Sequence, residues 1–171
     1  VDGNSIEHDN LEVSNQQLEL ITFYSQQLGV PSRRNIDNED VIAGKKLFFE
    51  LSCNACHKEK FETGNNPDNK NLNQQIIYPY SDFLLHDMGE GLADSIPEYL
   101  ANGNEWRTTP LWGLGLTETV SGRKAFLHDG RARNLIEAIL WHGGEANRSV
   151  TKFKQLDNNQ INQLLKFLDS L

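Results

Sequence analysis

Asp40-Val-Ile-Ala-Gly44-Lys-Lys-Leu-Phe48-Phe-Glu-Leu51-Ser-Cys53-Asn-Ala-Cys56-His57 is the stretch from which the rest of the chain is read. Its last five residues form a C-x-x-C-H motif that holds both cysteines of the chain. Two thiols three positions apart can each form a thioether to a haem vinyl group, while the next residue offers an imidazole to the iron. The motif therefore predicts one covalent c-type haem on Cys53, Cys56 and His57. Two other chemistries share the pattern. A thioredoxin-like C-x-x-C needs a strand-to-helix turn, and no strong strand run precedes Cys53. Zinc needs two further ligands, which in a chain with no other cysteine would have to be histidines.

Upstream of the motif, Val41, Gly44, Phe48 and Leu51 fall on one side of a helix predicted over 40–51. Glycine inside a helix costs about 1 kcal/mol relative to alanine, so Gly44 points to the close approach of a second helix. A partner is present at the end of the chain. Asp157 and Gln160 form a capping box with a Leu156–Ile161 staple, and Ile161, Leu164, Leu165, Leu168 and Leu171 make one apolar face. Ser14 with Gln17 makes another capping box, and Val13 with Leu18 a staple, predicting a helix over 15–28. Its buried stripe should be Leu18, Ile21, Tyr24 or Ser25, and Leu28, with Gly29 and Pro31 closing it. Residues 1–12 read as a loose polar tail, and 13–171 as a single cytochrome c-type domain. Residues 58–112 are polar, broken by apolar islands at Ile76-Ile77-Tyr78 and Phe83-Leu84-Leu85, and a connection this long suits the wrapping of a haem edge. A glycine-bearing helix just before C-x-x-C-H, crossed by a C-terminal amphipathic helix, resembles class I cytochrome c. The expected fold is mostly α, class I cytochrome c-like, with long irregular loops.

Composition narrows the partners. A length of 171 residues suits one domain, and 37% hydrophobic residues with a mean hydropathy of −0.57 leave room for long polar connections. No apolar run approaches a membrane span, and no signal-peptide core is present. The chain starts at Val1, which suggests a matured or trimmed product. Because haem is attached to C-x-x-C-H outside the cytoplasm, a periplasmic or otherwise exported location is expected. The net charge of −8 argues against nucleic acid and against anionic membranes. It allows docking to a basic redox partner.

His57 fills one side of the iron and leaves the other to His8, His86, Met88, His128 or His142. Asn134 with Glu137 opens a short helix in which Leu135, Ala138, Ile139 and His142 occupy one face, so His142 projects with the core stripe. Gly143-Gly144 then ends that helix. Met88 is the only methionine and sits in a glycine-bearing loop, and methionine paired with histidine is a known axial set in cytochromes c. Periodicity alone leaves His142 and Met88 level. Arg107, Arg131 and Arg133 are candidate donors to haem propionates, and Trp106 and Trp112 are candidates to pack on the ring and offer an indole N–H.

Trp106-Arg-Thr-Thr-Pro-Leu-Trp-Gly-Leu-Gly115 and Phe126-Leu-His-Asp-Gly-Arg-Ala-Arg133, running into Leu135-Ile-Glu-Ala-Ile-Leu-Trp-His142-Gly-Gly, resemble the di-haem oxidoreductase (putative peroxidase) family. Leu28-Gly-Val-Pro-Ser-Arg-Arg34 and Tyr80-Ser-Asp-Phe-Leu-Leu-His-Asp-Met-Gly89 extend the likeness. That family is related to bacterial di-haem cytochrome c peroxidases and to MauG-type enzymes. In such relatives the distal ligand follows an aromatic-His-x-Gly segment after a short helix. Counted from His128, that place is His142, so the resemblance implies bis-histidine ligation by His57 and His142, with Met88 the alternative. His128 itself, with Asp129 and Gly130, reads as a turn, and as a supporting partner only by resemblance. Relatives carry two haem domains where this sequence has one C-x-x-C-H, which implies the C-terminal, electron-transfer half. The implied role is electron transfer through six-coordinate iron, toward a redox partner protein or a second haem domain. The alternative is a peroxidase-type enzyme that reduces hydrogen peroxide at haem.

Overall fold

The computed structural model describes residues 12–171. Most of the proposed tail, and with it His8, lies outside the described residues. The chain divides into two units, Val1–Pro31 and Ser32–Leu171, which are described separately.

In the first unit, α1 (Asn15–Gln26) begins at the expected capping box: Ser14 Oγ accepts from the Gln17 amide, and the Gln17 side chain accepts from the Ser14 amide. The helix stops two residues short of 28 and buries none of its residues, so the expected stripe of Leu18, Ile21 and Tyr24 is exposed.

In the second unit, α2 (Glu39–Glu50) is capped by Asn38, whose side chain accepts from the amides of Asp40 and Val41. It packs on α6 (Asn158–Ser170), which opens at the Asp157–Gln160 capping box. Gly44 is the point of closest approach. A Cβ there would lie 2.6 Å from the Gln163 carbonyl carbon and 2.8 Å from Phe167 Cβ. The core gathers around this crossing, with Val41, Phe48, Leu51, Tyr80, Phe153, Leu164, Phe167, Leu168 and Leu171 in one cluster. Phe48, Tyr80 and Phe167 meet pairwise at ring-centre distances of 5.3–6.0 Å. Phe167 is fully buried, where the sequence pattern favoured Leu165 instead.

The expectation of a mostly α, class I cytochrome c-like domain is overturned by what lies between these helices. The structure is 42% helical and contains two antiparallel two-stranded sheets. Strand β1 (Phe61–Glu62) pairs with β2 (Ile76–Ile77), and β3 (Leu85–Asp87) pairs with β4 (Glu105–Arg107), placing His86 opposite Trp106. The reason is backbone accounting. A polar connection of this length cannot leave its amides and carbonyls without partners where it packs, and ladders form at Phe61, Ile76-Ile77 and Trp106, with Leu85–Asp87 pairing opposite the last. Three further helices follow: α3 (Thr117–Ser121), α4 (Leu135–Trp141) and α5 (Asn147–Phe153). Helix α5 places Val150 and Phe153 in the core and was absent from the sequence reading. Among the described residues, no helix is long and apolar enough to cross a membrane.

Candidate functional site

Leu51 ends α2, Ser52 takes a left-handed backbone at φ +66°, and Cys53–Ala55 makes a single 3-10 turn. The His57 amide then donates to the Cys53 carbonyl at 3.0 Å, so one tight turn presents Cys53, Cys56 and His57 together. Burial pushes the Cys53 thiol up to about 11 and raises that of Cys56, where the negative charges of Asp82 and Glu145 add to the effect. Redox C-x-x-C pairs have the opposite property, a thiol pKa lowered toward neutrality. Both groups are therefore held as protonated thiols at neutral pH.

The turn opens on a cavity of about 450 Å³ within the second unit. Its walls come from the ends of α2 and α6, the C-x-x-C-H turn, residues 106–114, the loop 125–128, α4, and α5 with the turn before it. His57 and His142 both line it, with ring centres 6.5 Å apart. His57 Nδ1 donates to the Tyr80 carbonyl at 2.9 Å, and His142 Nδ1 donates to the Ala138 carbonyl at 2.8 Å. A carbonyl can only accept, so each Nδ1 carries the proton and each Nε2 keeps its lone pair for a metal. Desolvation holds both rings neutral: it lowers the pKa of His57 to about 4 and that of His142 below its ordinary value.

Tyr80 was not singled out from sequence. It is fully buried at φ +50°, a left-handed conformation that a large side chain adopts only when its surroundings over-determine it. Its hydroxyl donates to Glu59, whose carboxylate pairs with Lys45 at 2.5 Å, and its carbonyl is thereby aimed at His57. The one local signal is Pro79, which restricts the chain just before it.

Leu135, Ala138, Ile139 and His142 all line the cavity, on the face expected from their spacing, but His142 stands just past the end of the helix. It is the C-cap of α4, with ψ 122°, and Glu137 turns back to the Arg133 amide instead of completing a capping box. Met88 also lines the cavity. The Met88–Gly89 backbone presses on Gly143-Gly144: a Cβ on Gly143 would meet Met88 O at 2.6 Å, and one on Gly144 would meet Gly89 N at 2.8 Å and, closer still, the Asp87 carbonyl.

Arg107 and Trp112 line the cavity, and Trp112 meets Phe83 at 6.4 Å. Trp106 does so too, but its indole N–H donates to the Leu92 carbonyl, and its ring lies flat on His128 at 3.5 Å. Arg131 does not contribute to the lining. Its guanidinium donates to Asp129 and to the Gly91 carbonyl and rests over the Trp141 ring. Arg133 pairs with Glu137.

His86 is engaged on both nitrogens, by Glu145 at Nδ1 and Asp82 at Nε2, each at 2.9 Å. Ligand atoms of Cys56, Asp82 and His86 fall within 4.8 Å of one another, but two carboxylates on one imidazole favour its protonated form, which has no lone pair to offer a metal. The Glu145 hydrogen bond is the main cause of its raised pKa, with burial opposing and Asp82 assisting. His86 in turn lowers Glu145. Burial alone would raise Asp82, but the Leu84 amide and His86 outweigh it. The sign follows from proton linkage. A base whose pKa rises on folding stabilises fully below its ordinary value of 6.5 and loses that contribution as pH climbs through the raised value. The two lowered carboxylates contribute above their ordinary 3.8 and 4.5 and lose it as pH falls. The gap in thermal midpoint between the parent and His86→Gln should therefore be widest at about pH 5–6.5 and narrow on either side. Melts from acid to mild alkali check this, and a gap independent of pH would contradict it.

Comparison with the curated proteins and comparison with the solved structures each gave no match. A family model described as "Di-haem oxidoreductase, putative peroxidase" matches residues 1–171, the whole chain. With a neutral, desolvated histidine pair and a C-x-x-C-H turn facing one cavity, the redox role that this description carries is in keeping with the site, and the chain belongs to the di-haem oxidoreductase family.

Proposed function

We propose that the second unit binds one covalent haem c, held by thioethers at Cys53 and Cys56 and by His57 and His142 as axial ligands, and that it transfers electrons. The observation that carries this reading is the facing histidine pair. Two imidazoles on opposite sides of one iron, with metal–nitrogen bonds of about 2 Å, have ring centres roughly 6 Å apart, close to the 6.5 Å seen here. The donor chemistry fits as well: both Nε2 atoms are unprotonated and the cavity wall is predominantly apolar. A bound haem supplies the one-electron change. The chain's own residues do the rest: the Tyr80 and Ala138 carbonyls orient the two rings, the apolar walls exclude water, and Arg107 and Trp112, which line the cavity, would be the donors to a propionate. Two strong-field imidazoles leave no vacancy for peroxide, which favours relay over catalysis.

The reading carries an exported location, where thioethers are made, and a redox partner protein or second haem domain to exchange electrons with. Protein produced with a c-type maturation system and then denatured is expected to retain the mass of one haem on the peptide bearing Cys53 and Cys56. Loss of that mass on denaturation would refute covalent attachment. The family description supports a second reading, peroxide reduction at this haem. A high-spin ferric spectrum with rapid reaction toward hydrogen peroxide would establish it in place of the relay.

A further inference from the structure

We propose that Glu145, with His86 and Asp82, is a positioning clamp that holds His142 across the cavity from His57 and keeps that face closed to exogenous ligands. This rests on the axial pairing of His57 with His142.

His142 is held by α4 from one side only: its amide donates to the Ile139 carbonyl at 3.2 Å and its ring to the Ala138 carbonyl. The helix ends at Trp141, and His142 already has extended backbone, so the Ala138 carbonyl is the one hydrogen bond on its ring. Three residues on, in the 3-10 turn Gly144–Ala146, Glu145 reaches across to β3 with both oxygens. Oε1 accepts from the Asp87 amide at 3.0 Å, and Oε2 accepts from His86 Nδ1 at 2.9 Å. His86 passes the connection to Asp82, whose side chain is only 7% exposed and which sits beside Cys56. The three side chains thus run from the turn after His142 to the motif that carries His57.

Backbone contact reinforces the same junction. Gly143 and Gly144 lie too close to Asp87, Met88 and Gly89 to admit a Cβ, so turn and loop move together or not at all. Glu145 itself lines the cavity, so the clamp borders the same space as His142. An exogenous ligand binds only the fraction of molecules in which His142 has left, so its rate reports that fraction.

The test uses the full chain with haem attached, comparing parent, Glu145→Ala and Glu145→Gln. The probe is cyanide added to the ferric protein, read beside the absorption spectrum and the thermal midpoint. Glu145→Ala is expected to keep a low-spin spectrum while binding cyanide at least ~10-fold faster, equivalent to about 1.4 kcal/mol. Glu145→Gln retains an acceptor for the Asp87 amide and should recover part of the difference. Should Glu145→Ala fail to fold, His86→Gln, which leaves the Asp87 bond in place, is expected to accelerate binding in the same direction. A low-spin parent whose variants bind cyanide within twofold of it, with or without a lowered midpoint, overturns the clamp and leaves the ligation standing. A parent that is high-spin at neutral pH overturns the ligation, and the clamp with it.

Discussion

His142→Ala, made in the haem-loaded protein, is expected to convert the ferric spectrum from low-spin to high-spin and to speed cyanide binding by at least ~100-fold, equivalent to about 2.7 kcal/mol. The expectation comes from what else could replace the lost ring. His128 lines the same cavity, but its imidazole is stacked on Trp106 at 3.5 Å, and Trp106 is tethered to the Leu92 carbonyl. His86 is bound on both nitrogens. Among the described residues Met88 is the remaining candidate, and its backbone is pinned against Gly143. The alanine variant keeps the Met88 loop and the clamp intact, so it separates the two ligand choices that periodicity left level. Added imidazole should restore the low-spin form by entering the space of the deleted ring. A spectrum unchanged by the substitution would refute His142, and a sulfur-to-iron band already present in the parent would assign the position to Met88.

Local rules were legible and pairings were not. Ser14, Asn134 and Asp157 could be read as helix starts because a cap is a contact between residues three apart, and all three accept from the expected amide. Gly44 was legible for the opposite reason: glycine in a good helical run has no local justification, so it had to answer to a neighbour. By contrast, β1 and β2 are two residues each, too short for a period of two to register, and their partners lie about fifteen positions apart. Leaving such ladders out is what made the chain look mostly α. Helix α5 was hidden behind Gly143-Gly144, although Val150 and Phe153 stand at helical spacing. The apolar stripe of α1 shows the limit of periodicity itself. It identifies a helix, yet within its own unit that helix buries nothing.

The site divides along the same line. Cys53, Cys56 and His57 are a contiguous motif whose spacing states its chemistry. Tyr80, Asp82 and Glu145 act through a carbonyl and two carboxylates brought in from up to 88 positions downstream of His57. No spacing rule reaches that far. His86 was a ligand candidate on composition, and only its two carboxylate partners show that it ties one loop to another.

Gly44→Ala decides whether the α2–α6 crossing is as close as the core requires, because the two effects of the substitution have opposite signs. On an isolated helix, alanine is better than glycine by about 1 kcal/mol, so a loose crossing would make the variant more stable. Here the new Cβ would meet backbone, the Gln163 carbonyl, and also Phe167 Cβ at 2.8 Å. Neither is the far end of a flexible side chain, so relief requires the helices to separate. Separation would loosen Phe48 from Phe167, now 5.3 Å apart, and shift Leu164 and Leu168, which form both core and cavity wall. Overpacking of this kind costs about 1–3 kcal/mol after the helix gain is offset, and more where backbone is struck. For a unit of this size that lowers the thermal midpoint by roughly 5–10 °C. Far-UV circular dichroism melts of parent and variant measure it. A midpoint equal to or above the parent's would mean that α2 and α6 stand further apart, and that Gly44 is present for a reason other than their contact.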